Sequence, residues 1–101
     1  MYCVTVLYPN AADGHFDFDY YRNVHIPHML ELLGDNVQGM ELRRGLQAVD
    51  GAPAVFHCLL NTHVRSAEDF QRVMADHADW VLADIPKYTN LQPIIQIDQV
   101  L

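Results

Sequence analysis

The sequence predicts an α+β fold: a four-stranded sheet and two helices in the β-α-β-β-α-β order of a ferredoxin-like sandwich. Three observations carry that expectation. Runs of β-branched and aromatic residues alternate with runs of helical spacing. A turn signal, Asp50-Gly51 with Pro53, falls at the midpoint and divides the chain into two strand-helix-strand halves. No linker, low-complexity tract or close repeat interrupts the 101 residues, so residues 1–101 read as one domain.

The first run, Tyr2-Cys3-Val4-Thr5-Val6-Leu7-Tyr8, is β-branched and aromatic, and Pro9-Asn10 ends it. A polar turn through Ala11–His15 follows. Asp17 and Asp19 then stand where acidic side chains cap free N–H groups and face the positive end of a helix. Phe18, Tyr21, His25, Met29 and Leu32 recur at steps of three and four, the spacing of one helix face, and Gly34 provides a C-terminal stop. Pro27 interrupts the interior of this helix, and the missing donor should free the Asn23 carbonyl or kink the chain. Extended stretches are expected from Val37 to Ala48 and from Ala54 to Asn61. Ser66 reads as an N-cap, with Asp69 in the first turn of a second helix. Phe70, Val73, Met74, His77 and Val81 form its apolar stripe, and Pro86 ends it. A last strand is expected from Leu91 to Val100, with Pro93 placing its start at an edge or bulge.

Composition excludes several function classes. Half of the residues are apolar and 19% are charged, which suits a packed core and argues against disorder. Six Lys+Arg against thirteen Asp+Glu give a formal charge of −7, the wrong sign for a nucleic-acid partner. Apolar runs such as Ile94-Ile95 are far too short for a membrane span, and no secretory signal opens the chain. Cys3 and Cys58 both lie inside apolar runs, as buried small hydrophobes do in a reduced, cytoplasmic protein.

The strands are apolar on both faces. Tyr2, Val4, Val6 and Tyr8 share one alternation while Cys3, Thr5 and Leu7 are nearly apolar on the other; Phe56, Cys58 and Leu60 likewise oppose Val55, His57, Leu59 and Asn61. Two helices cover one face only. A second copy is the economical cover for the other, so a face-to-face homodimer with a lined space between the sheets is expected.

Among residues able to carry chemistry, His25 is the leading candidate. It lies on the inward stripe of the first helix, where an imidazole moves protons near neutral pH, and Tyr21 stands one turn earlier on the same face. A structural histidine bonded to a neighbouring strand satisfies the same position. His25 and His28 have a chelating spacing, but no cysteine or HExxH pattern completes a metal set; His57 and His63 are about 20 Å apart along a strand, too far to share an ion. No metal or cofactor is therefore expected. His77, on the second helix's stripe, reads as a half-buried core residue. Tyr8, Trp80 and Tyr88 are candidates for an aromatic ligand lining, and His57 and Asn61 for its polar contacts if their alternation faces the intersubunit space. No nucleophile triad or glycine-rich phosphate loop is present.

Tyr8-Pro9-Asn10, then Phe16-Asp17, then Tyr20-Tyr21-Arg22-Asn23-Val24-His25-Ile26-Pro27 resemble the opening of the EthD family, and Tyr88-Thr89-Asn90-Leu91-Gln92-Pro93-Ile94-Ile95-Gln96-Ile97 is similar to its closing segment. The likeness spans essentially the whole chain. It implies a dimeric α/β barrel of two ferredoxin-like protomers, and a setting in small-molecule catabolism, since the family is named for ethyl tert-butyl ether degradation. The wider superfamily holds small monooxygenases, haem-degrading enzymes, lactone isomerases and polyketide cyclases, so the resemblance implies a fold far more than a reaction. The family's histidine and proline fall on His25 and Pro27, and its preceding tyrosine on Tyr21.

Three readings follow. The first is an enzyme acting on a small apolar or aromatic molecule by proton transfer or oxygen-dependent chemistry, with His25 moving a proton and Tyr21 orienting it or polarising an oxygen. The second is a non-catalytic binding or carrier protein for such a compound. The third is a haem-handling protein with His25 or His28 as axial ligand.

Overall fold

In a computed structural model that describes all residues from Met1 to Leu101, the first strand, β1, spans Tyr2–Pro9. The chain then turns, and Asp17 caps the first helical segment by accepting the Tyr20 N–H at 3.0 Å. Three pieces run on from it without a break: α1 (Phe18–Tyr20), a π-helical turn (Tyr21–His25) and α2 (Ile26–Leu33). The wide turn is the answer to Pro27. The Ile26 N–H reaches back five residues to the Tyr21 carbonyl, and Pro27 falls in the first turn of α2, where a missing N–H is tolerated. The extra residue also shifts the buried stripe. Instead of running on to Leu32, it passes from Tyr21 and His25 to Ile26 and Leu33. Gly34, at φ 57°, caps α2 with its N–H on the Leu30 carbonyl.

The remaining strands are β2 (Val37–Arg44), β3 (Phe56–Val64) and β4 (Ile94–Gln99), giving the antiparallel sheet order β2-β3-β1-β4 of a ferredoxin-like α+β fold. β2 is shorter than its sequence pattern suggests, because the backbone at Gly45 presses against β3. A Cβ there would lie 1.9 Å from the Phe56 carbonyl oxygen. β3 compensates by running on to Val64, and β4 starts only after Pro93.

Ser66 caps α3 (Ala67–Asp76) as expected, its Oγ accepting the Asp69 N–H at 3.0 Å. The second helix, however, is not continuous. It breaks at His77 (φ −117°, ψ 19°) and resumes as α4 (Ala78–Asp84). His77 is exposed at this corner and is not part of the core stripe, which corrects its expected role. No helix is long and apolar enough to cross a membrane.

The registers sort the sheet into two faces. Val6 pairs with Leu60 and Ile95, and Leu60 with Leu42; this face, with Val4 and Tyr8, packs on the helices. Thr5 pairs with Asn61 and Gln96, and Leu7 with Leu59 and Ile94, on the opposite face, which no other element of the chain covers.

The segment after α4 is fastened to the loop before α1. Phe16 bridges Thr89, the Asp17 N–H donates to the Tyr88 carbonyl at 2.7 Å, and the Thr89 hydroxyl donates to the His15 carbonyl at 2.7 Å. The Asn90 side chain accepts from the His15 N–H and donates to the Asp13 carbonyl. This clasp places Tyr88 beside the π turn.

Candidate active site

His25 is 6% exposed and Asp84, at the end of α4, only 3%. The imidazole Nδ1 donates to Asp84 Oδ2 at 2.7 Å. The other carboxylate oxygen, Oδ1, accepts the Tyr20 hydroxyl at 2.8 Å, with the Lys87 ammonium 3.7 Å away. The carboxylate therefore has a donor on each oxygen and a cation beside it, which is what a buried charge needs. Desolvation pushes Asp84 upward, but the His25 and Tyr20 hydrogen bonds and the Lys87 charge outweigh it and hold the acid below its ordinary value. His25 is lowered: desolvation favours the neutral ring more than Asp84 favours the charged one. A neutral ring with its proton on Nδ1 presents Nε2 as an acceptor.

Two rings fix the plane of that imidazole. Tyr21 lies 5.3 Å away at 14° and Trp80 5.2 Å away at 16°, both nearly parallel to it. The π turn sets the first of these, because it spaces Tyr21 and His25 within one widened turn. Every buried side-chain nitrogen and oxygen in the chain has a hydrogen-bond partner. Nε2 has no protein partner, so it is not sealed off, and His25 is among the residues that line the adjoining cavity.

This cavity, of about 90 Å³, lies between the helices and the covered face of the sheet. His25 and Thr62 are polar exceptions in a lining of aliphatic, aromatic and methionine side chains. Tyr8, Tyr21 and Tyr88 meet His25 at one end. The Tyr8 and Tyr88 hydroxyls are 2.8 Å apart. Burial raises all three phenols, and their mutual proximity adds to it for Tyr21 and Tyr88, so each keeps its proton. Cys58, beneath them, is pushed up to about 12 by burial and is an inert thiol.

Of the residues singled out in the sequence, Tyr8, Tyr21, His25 and Tyr88 thus converge on one cavity. Trp80 braces His25 from outside it, with His28 4.0 Å from the indole. His57 and Asn61 do not share a face as their spacing suggests. The β1–β3 register shifts between Tyr8 and Pro9, leaving His57 unpaired, and the bulge turns it toward Phe16 and Phe18. Asn61 stays on the uncovered face, opposite Thr5 and Glu41. The cavity that gathers the tyrosines and His25 lies inside one protomer. Nowhere do three or more His, Cys, Asp or Glu side chains converge as a metal site requires.

Asp84 and Tyr20 were not visible as site residues in the sequence. Asp84 is 59 positions from His25, and its local context is only that of a helix end before Pro86. The one usable signal is its place four residues before Tyr88, one turn along the same segment.

No model of a known protein family matches the sequence, and no curated protein matches it. Among solved structures, the chain is similar to an EthD-like protein from Ralstonia eutropha JMP134, with 33% identity and a TM-score of 0.92, over 99% of this chain and 91% of that one. It shares its fold with an ethyl tert-butyl ether degradation (EthD) family protein from Bacillus halodurans C-125, at 17% identity, a TM-score of 0.68, and coverage of 100% and 99%. HapK from Hahella chejuensis has the same fold at 17% identity and a TM-score of 0.58, over 99% and 93% of the two chains.

Proposed function

The chain belongs to the EthD family, and from that premise we propose that it is a proton-transfer enzyme for a small, largely apolar molecule, with His25 as the acid-base group. The observation that carries the reading is the buried His25–Asp84 pair at 2.7 Å, on a histidine that lines an apolar cavity and whose Nε2 has no protein partner. Asp84 fixes the tautomer and stabilises the imidazolium that forms when Nε2 takes a proton. Tyr21 and Trp80 hold the ring plane, and the dry surroundings keep the ring neutral and ready to accept. A general base positioned in this way is worth about 10²–10⁴ in rate.

We further propose that the working form is a homodimer in which a second copy covers the open sheet face bearing Leu7, Leu59 and Ile94. A setting in the breakdown of small organic compounds fits an apolar cavity with a single histidine in its lining.

Solvent-isotope incorporation tests the reading without knowledge of the natural substrate. Small apolar carbon acids are incubated with the protein in D2O, and the recovered compounds are weighed by mass spectrometry. Deuterium uptake is expected with the wild type and is expected to vanish with His25→Ala, whose circular dichroism should match the wild type. Saturable binding with no isotope uptake from any compound would support a carrier instead and overturn the enzymatic reading.

A further inference from the structure

Tyr8 and Tyr88 stand on opposite walls of the fold, one on the central strand and one after α4, yet their hydroxyls meet at 2.8 Å inside the cavity. Each phenol has one O–H to donate. The bond between them uses one of their two protons, and the other hydrogen-bonding neighbour of Tyr8 is a third phenol, Tyr21, so three O–H groups joined in a row still leave one donor over. Tyr21 adds a third phenol beside them, its ring 6.0 Å from Tyr8 and 4.8 Å from Tyr88. The His25 ring lies 4.9 Å from that of Tyr88. A spare donor in an apolar cavity next to a base is a mismatch unless something brings an acceptor to it.

We propose that the Tyr8–Tyr88 hydroxyl pair is a receptor for the oxygen of a small ketone or other carbonyl compound, bound with its neighbouring carbon at His25 Nε2. This rests on the acid-base reading of His25 and names the substrate class that reading lacks. The cavity admits a compound of only a few heavy atoms, since about 90 Å³ corresponds to roughly six to nine water-sized volumes. In the step, Nε2 takes a proton from the carbon beside the carbonyl. The C–H pair becomes the C=C bond of the enolate, and the carbonyl π pair moves onto oxygen. That oxygen's growing charge strengthens its hydrogen bond from the tyrosine pair. Nε2 then returns the proton to the same carbon, or to a conjugated one, so that an isomerisation balances with no other reactant. Burial keeps the phenols protonated throughout, as an oxygen receptor requires.

The test uses cyclohexanone and methylenecyclohexane, which differ in shape only at the group replacing the carbonyl oxygen. Wild-type protein should bind the ketone at least about tenfold more tightly, the discrimination expected of one buried hydrogen bond. The bound ketone's infrared C=O stretch should shift to lower frequency than in water-free solvent. Tyr8→Phe and Tyr88→Phe should each reduce the preference and the shift while leaving methylenecyclohexane binding in place, which also shows that they are folded. Equal or absent binding of the two compounds by the wild type would overturn the proposal, with no variant required. The two proposals fail separately. Ketone preference and an infrared shift without α-deuterium exchange would leave the receptor standing and remove His25 as its base. Exchange that is lost in His25→Ala but untouched in both tyrosine variants would keep the base and overturn the receptor.

Discussion

His25 and Asp84 differ from an ordinary surface ion pair because each constrains the protonation of the other. Both Asp84 oxygens accept, one from His25 and one from the Tyr20 hydroxyl. Asparagine is the same size but has a single acceptor oxygen, so Asp84→Asn can serve only one of these donors. Proton-transfer rate in this variant should fall by about a hundredfold or more, the range of acid-base contributions, while ligand affinity changes little. An unchanged rate would mean that Asp84 is a structural partner only. The pH dependence follows from the signs. His25 is depressed in the folded protein, so the unfolded chain takes up its proton first, and the neutral ring's contribution to stability is lost as pH falls from 6.5 toward the folded value. Asp84 is also depressed, and its contribution is lost in turn as pH falls through 3.8 to below it. Rate should accordingly hold below pH 6.5 before it declines. Urea denaturation at pH 7.5 and pH 5 should show a loss of stability that is smaller in His25→Gln; equal losses in both proteins would contradict the assignment.

At the scale of elements, the site is produced by the π turn before α2 and by the clasp that follows α4. The helical spacing around Tyr21 and His25, the N-caps at Asp17 and Ser66 and the stop at Gly34 are local patterns, and all of them were legible. Pro27 announced a disturbance, but a freed carbonyl, a kink and a π turn satisfy the same missing donor; only packing of Tyr21 against His25 selects the last. His77 looked apolar by position and ended up at an exposed helix break, because spacing reports a face only while the helix continues. Asp84 and the bulge at His57 depend on pairings across the fold, and no local pattern encodes them. The run Tyr88-Thr89-Asn90 carries part of the EthD resemblance, and its physical reason is the clasp. Thr89 is buried, donates to the His15 carbonyl and accepts the Leu91 N–H at 3.0 Å. Thr89→Val keeps the shape and strands both partners, so a loss of about 1–3 kcal/mol is expected in chemical denaturation. A loss within a few tenths of a kcal/mol would show that the clasp does not hold Tyr88 in place.

The molecule as a whole has one closed face and one open one, and the cavity belongs to the closed face. Leu7, Leu59 and Ile94 form an apolar band on the other side of the sheet, bordered by Thr5, Asn61 and Gln96, with Arg43 opposite Leu59 and paired to Glu41. Bringing two such faces together buries the apolar band at about 25 cal/mol per Å² removed from water, while the polar border fixes the register between copies. Light scattering on a sizing column should therefore give twice the 11.6 kDa chain mass at micromolar concentration. Leu59→Glu places a charge on each copy at the centre of the contact and should give monomers. Because the cavity is lined by side chains of one chain, that monomer should still bind a small ligand and exchange its protons through His25. A wild type that is already monomeric would overturn the homodimer. A dimer whose Leu59→Glu monomer loses all exchange would place part of the site across the interface, and the cavity beside His25 would then be only half of it.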